Sequence, residues 1–139
     1  MTIEENKALV RRFIDEVFVA GSFTAVDELV AEDFMPHTWG SMGSGQQALK
    51  DAITRVSAGL TDVSMTVEDV IAEGDKVVVR LTSRAVQSGV FMGLPPSGRA
   101  YAISEIHIFG IRDAKVSEHW HEADFIGMLR QLGAMPEHA

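Results

Sequence analysis

The sequence predicts an α+β domain, with helices packed on one face of a curved mixed or antiparallel sheet so that the two form a cone with an internal pocket. One change of pattern, and the order it sets, carry that expectation. Up to about Leu60, apolar residues recur at helical spacing; beyond it they alternate with polar ones, as on half-buried strands. The order, helices first and strands after, implies helices layered on a sheet rather than alternating β-α-β units. A third observation sets the scale: 139 residues make one domain able to bury a core.

The elements follow in order. Thr2 and Glu5 stand in capping-box spacing. Leu9, Val10, Phe13, Ile14, Val17 and Phe18 then form one apolar helix face that Gly21 stops. A short second helix is capped by Ser22 or Thr24 and buries Phe23, Val26, Leu29 and Val30. Asp33 to Gly45, glycine-rich and containing Pro36, reads as a loop. A third helix runs from about Gln46 to Ala58. Val63, Met65 and Val67 alternate as a strand should, Glu73 to Lys76 is a turn, and Val77 to Val86 is a long strand. Met92 to Arg99, with two prolines and two glycines, is a loop. Tyr101 to Ile111 and Lys115 to Trp120 form a hairpin about Asp113-Ala114, and a last helix from near Asp124 stops at Gly133.

Composition narrows the function classes. A formal net charge of −8 with scattered lysine and arginine argues against nucleic-acid binding. No stretch approaches the ~20 apolar residues of a membrane span. The polar, acidic start is unlike a signal peptide, and cysteine is absent, so the expected setting is cytoplasmic, without disulfides or thiolate metal sites.

The terminal hairpin is the segment richest in chemistry. With Arg112 opposite Lys115, an unbroken register pairs Phe109 with Glu118 and His107 with Trp120. Glu105, His107, Phe109, Glu118 and Trp120 then share one face, which is either pocket wall or solvated strand surface. His119 and His121 fall on the other face; with no third ligand in view, no metal is expected. Asp124, at the start of the last helix, is either an N-terminal cap or a carboxylate at the rim of an apolar cavity, able to exchange a proton with a carbon acid. His37 and Trp39 lie in the loop. The stretch Gly40 to Gly45 lacks the Gly-Lys-Ser/Thr ending of a phosphate loop, and His138 sits in the tail.

Several motifs resemble the SnoaL-like polyketide (ester) cyclases. Glu5 to Phe13 resembles their opening helix, and Asp33-Phe34-Met35-Pro36-His37 their acidic-Phe-x-x-His segment. Met92-Gly93-Leu94-Pro95-Pro96-Ser97-Gly98-Arg99 is similar to their Gly-Ile-Pro-Pro-Thr-Gly loop. Glu118-His119-Trp120, Asp124 and Leu129-Arg130-Gln131-Leu132-Gly133 resemble the terminal signature. The resemblance implies a nuclear-transport-factor-2-like cone and a homodimer formed through the sheet. It also implies an intramolecular aldol cyclisation, or a related isomerisation or dehydration, of a small carbonyl substrate without metal or organic cofactor. It makes Asp124 the acid/base, with His107 and His37 as further catalytic candidates and Trp39, Arg80, Glu105, Glu118 and Trp120 as substrate contacts. Two departures stand out. Gln87 occupies the place of a family histidine, and Thr82 stands where the epoxide-hydrolase branch, matched at Arg80, needs an aspartate. The competing readings are a non-catalytic small-molecule binder on the same cone and a structural dimerisation module whose cone is filled by core side chains.

Overall fold

The computed structural model describes residues 1–40 and 43–136; the centre of the glycine-rich stretch, at Ser41 and Met42, and the tail with His138 lie outside them. Helix α1 (Ile3–Phe13) starts on the expected capping box, with the Glu5 amide donating to Thr2 Oγ1 at 3.1 Å and the Thr2 amide to Glu5 Oε1 at 3.0 Å. It continues as a π-helical segment, Ile14–Val19. The wider turn lets Phe13, Ile14 and Val17 bury fully, while Phe18 faces the rings of His107 and His119. Gly21 ends the segment with φ of 65°, and a Cβ there would press on Ile53 Cγ2 at 3.2 Å.

Helix α2 (Phe23–Leu29), capped by Ser22, runs directly into strand β1 (Val30–Pro36). Then come α3 (Gly45–Gly59), β2 (Leu60–Glu73), β3 (Lys76–Gln87), β4 (Ala100–Arg112), β5 (Lys115–Ala123) and α4 (Phe125–Gln131). The sheet order is β1-β5-β4-β3-β2; β1 is parallel to β5 and the other pairs are antiparallel. The sheet is therefore mixed, open and layered with helices, as expected.

β1 corrects the sequence reading, which gave Val30 to the second helix and Asp33 to Pro36 to a loop. Glu32 and Asp33 lower strand propensity and Pro36 forbids an amide, yet a proline is tolerated at the end of an edge strand. Val30, Ala31 and Phe34 bury, and their long-range contact with β5 decides the conformation. That tertiary pairing has no local signature.

The main core joins the first helix to the sheet through Val10, Phe13, Ile14, Val17, Phe34, Val79 and Phe109, with Phe13 edge-on to Phe109 at 5.3 Å. A second cluster, Leu60, Ala85, Tyr101, Ile103, Met128 and Leu132, seats α4 against the sheet.

The candidate active site

The terminal hairpin turns at Asp113-Ala114, both left-handed, and Arg112 pairs with Lys115 as expected. One residue later the register breaks. Ile111 pairs with Val116 but Gly110 with Glu118, leaving Ser117 as the extra residue of a β-bulge. Ser117 Oγ donates to the Gly110 carbonyl at 3.1 Å. Gly110 suits the site, since a Cβ there would meet Glu118 Cβ at 3.1 Å.

Because side chains alternate, one inserted residue exchanges the faces of everything beyond it. His107 pairs with His121 and Phe109 with His119, so the two histidines read as facing away join Glu105, His107 and Phe109 on the inner face. Glu118 and Trp120 move to the outer face, correcting the expected set. There Trp120 stacks on His37, centroids 4.4 Å apart at 13°, and His37 Nε2 lies 3.7 Å from Glu118 Oε2. Arg80 is outward too: the inner positions of β3 are Val77, Val79, Leu81 and Ser83, and Arg80 pairs with Asp69 at 2.7 Å across the outer face. Thr82 also faces outward, donating to Glu68.

Between helices and sheet lies a cavity of about 990 Å³. The cone is therefore not packed solid with core side chains in the way the purely structural reading expects. Its walls are mostly apolar, with Phe18, Ile53, Met65, Phe91, Ile103 and Met128 among them. One wall carries a cluster of polar side chains, Trp39, Ser83, Tyr101, Glu105, His107, His119 and His121, while Arg55, Ser57, Thr61 and Asp62 line the cavity from the end of α3 and the start of β2. Asp124, His37, Arg80, Glu118 and Trp120 are not among the lining residues. Asp124 is exposed and caps α4, its Oδ1 accepting the Gly127 amide at 2.9 Å.

The polar wall is wired. Trp39 Nε1 donates to His119 Nδ1 at 3.1 Å, His119 Nε2 lies 2.8 Å from His107 Nδ1, and His107 Nε2 lies 2.7 Å from Glu105 Oε1. The Glu105 side chain is only 13% exposed. Burial, reinforced by His107 and His121, pushes His119 well below the usual histidine range. His121 is lowered as well, first by burial and then by His107. Thr38 Oγ1 accepts the His121 amide and lies 3.0 Å from His121 Nδ1. Tyr101, bonded to Ser83, is pushed up to about 12 by burial and by the charge of Glu105. Among the described residues no group of three or more His, Cys, Asp or Glu is arranged to hold a metal ion. The facing nitrogens of His107 and His119 sit at hydrogen-bond separation, too close to bracket one.

The Gln87 side chain is buried, and its Nε2 donates to the Leu94 and Pro95 carbonyls at 3.2 and 3.1 Å. It ties down the loop whose Phe91, Met92 and Gly93 line the cavity. No helix of the described residues is long and apolar enough to cross a membrane.

A largely apolar cavity of this size with a hydrogen-bonded polar cluster on one wall is the form of a small-molecule site, and the surrounding fold is the nuclear-transport-factor-2-like cone. Within that class the chain belongs to the SnoaL-like polyketide cyclase family, whose model matches residues 8–132. It is 29% identical over 119 residues to the nogalonic acid methyl ester cyclase of Streptomyces nogalater, covering 84% of this chain and 89% of the relative. Over 131 residues it is 27% identical to the aklanonic acid methyl ester cyclase DauD of Streptomyces sp. strain C5, covering 90% and 80%. Among solved structures, TsrD from Streptomyces laurentii superposes with a TM-score of 0.89 at 30% identity, covering 97% of this chain and 99% of TsrD.

Proposed function

We propose that this protein is a polyketide cyclase-type enzyme that closes a ring in a small carbonyl compound, with Glu105 as the base and His107 as its partner. The observation that carries the reading is the Glu105 carboxylate, held in a mostly apolar cavity by the 2.7 Å bond from His107 Nε2. A carboxylate there can take the proton from a carbon next to a carbonyl. The resulting enolate attacks a second carbonyl carbon of the same molecule, forming the C–C bond, and the alkoxide so made takes a proton back. Substrate and product are isomers, and no cofactor enters the balance.

Donors for the developing oxyanion are at hand. The Thr38 hydroxyl accepts the His121 amide and still has its own proton to give to Nδ1; in that arrangement neutral His121 presents Nε2–H to the substrate. The neutral Tyr101 hydroxyl is a second donor. Proton transfer is assigned to Glu105 in preference to Asp124, because the Asp124 carboxylate is exposed and engaged with a helix amide.

Nogalonic and aklanonic acid methyl esters, the compounds in the relatives' names, are the first substrates to test. The expected product has unchanged mass and one more ring, and Glu105→Gln should lower turnover by ~10²–10⁴-fold. Full activity in that variant would overturn the assignment. Saturable binding of these esters with no turnover by the unaltered protein would favour the binding-protein reading.

A further inference from the structure

We propose that Trp39 is a positioning residue whose indole N–H sets the direction of the chain Trp39–His119–His107–Glu105 and thereby holds His107 neutral beside the Glu105 carboxylate. The inference rests on the reading of Glu105 as the base, and its logic is one of donors and acceptors.

An indole N–H can only donate. At 3.1 Å from His119 Nδ1 it obliges that nitrogen to accept, so neutral His119 carries its proton on Nε2. That proton points at His107 Nδ1, 2.8 Å away, which must therefore accept as well. His107 keeps its one proton on Nε2 and donates it to Glu105 Oε1. Both charged alternatives fail. An imidazolium at His107 would drive Nδ1–H at His119 Nε2 and leave His119 with two accepting nitrogens and no proton. An imidazolium at His119 would set Nδ1–H against the indole N–H.

This matters because a buried carboxylate ordinarily draws a proton onto an adjacent imidazole. The ion pair so formed would make Glu105 a weaker base. The titratable groups facing His107 are Glu105 on its own strand and His119 and His121 on β5; the π-helical segment contributes Phe18, and β3 contributes Val79. Of these, only Glu105 favours the cation. Trp39 opposes it through a hydrogen-bond constraint, at the far end of the chain from the reacting atoms. The indole is itself seated edge-on to Phe34 at 5.9 Å, next to the end of β1.

The test reads tautomers directly and needs no substrate. Long-range ¹H–¹⁵N correlation spectra of histidine-labelled protein should show His119 and His107 both protonated on Nε2 near neutral pH. Trp39→Phe keeps a ring but removes the donor, so His119 can turn its proton to Nδ1 and accept from a His107 imidazolium. The spectra of that variant should then show a His119 Nδ1–H signal and a proton on both nitrogens of His107. With His107 able to form the ion pair with Glu105, kcat for cyclisation should fall by a larger factor than KM changes. A wild-type His119 protonated on Nδ1, or a His119 Nε2–H pattern unchanged in Trp39→Phe, overturns the proposal; the first measurement holds even if the variant does not fold. Full turnover in Glu105→Gln with the Nε2–H pattern intact would overturn the base assignment, and with it the catalytic consequence of the constraint, but not the constraint itself.

Discussion

Asp124 separates two kinds of argument, and two substitutions at that one position decide between them. The resemblance to the cyclases makes it the acid/base, whereas its geometry is that of an N-cap. Its Oδ1 accepts the Gly127 amide at 2.9 Å, and Gly127 permits the approach, because a Cβ there would collide with the carboxylate. Helix α4 is seven residues long, so one satisfied amide is a large share of its end stabilisation. Asparagine caps as well as aspartate, and alanine does not. Asp124→Asn should therefore leave thermal stability nearly unchanged. Asp124→Ala should cost ~0.5–2 kcal/mol, and at ~1 kcal/mol a chain of this size loses ~3–5 °C in Tm. Because Phe125 and Met128 of α4 line the cavity, the alanine variant should also bind substrate more weakly, raising KM more than it lowers kcat. Thermal unfolding followed by circular dichroism, alongside turnover of the methyl esters, measures both effects. If Asp124→Asn keeps its Tm but loses ~10²–10⁴-fold in kcat, the capping argument is refuted and the carboxylate takes part in proton transfer.

Two further predictions use other parts of the same wall. Tyr101 is the chain's single tyrosine, so phenolate absorbance reports it alone. Because burial raises it to about 12, the folded protein should show little phenolate at the ordinary tyrosine range near ~10. The linked stability is present below the unfolded value of ~10 and is lost as pH rises toward the folded one; normal titration in the folded protein would contradict this. Gln87→Ala removes the donor to two loop carbonyls and should destabilise by ~1–3 kcal/mol. It should also raise KM through the loosened Phe91–Gly93 wall, and an unchanged KM would count against Gln87 as the anchor of that loop.

Where local chemistry decides, the sequence was readable. The Thr2/Glu5 capping box, the arrest at Gly21, the Asp113-Ala114 turn and the long strands all follow from residues within a few positions of one another. β1 was not readable, because its acidic and proline residues point to a loop and only the pairing with β5 outweighs them. Gln87 was seen as a departure from the family, but its role depends on carbonyls seven and eight residues further on, in a loop whose path has no pattern.

The site itself turned on a single residue. The sequence put Glu105 and His107 on one face of the hairpin and His119 and His121 on the other, and it pointed to Asp124, His107 and His37 for proton transfer; an unbroken hairpin keeps the two pairs apart. The bulge at Ser117 brings them onto one face. Nothing in Val116-Ser117-Glu118 marks it locally, since valine, serine and glutamate all occur in regular strands. The clues are distributed: Gly110 leaves room opposite, Val116 and Ser117 bury side by side, and the helical Phe18 needs rings beneath it. The stabilisation that favours the bulge comes from core packing on one side and the buried Ser117 bond on the other. Its consequence is chemical, because without the shifted register His119 would face away from His107 and Trp39 would have no imidazole to orient.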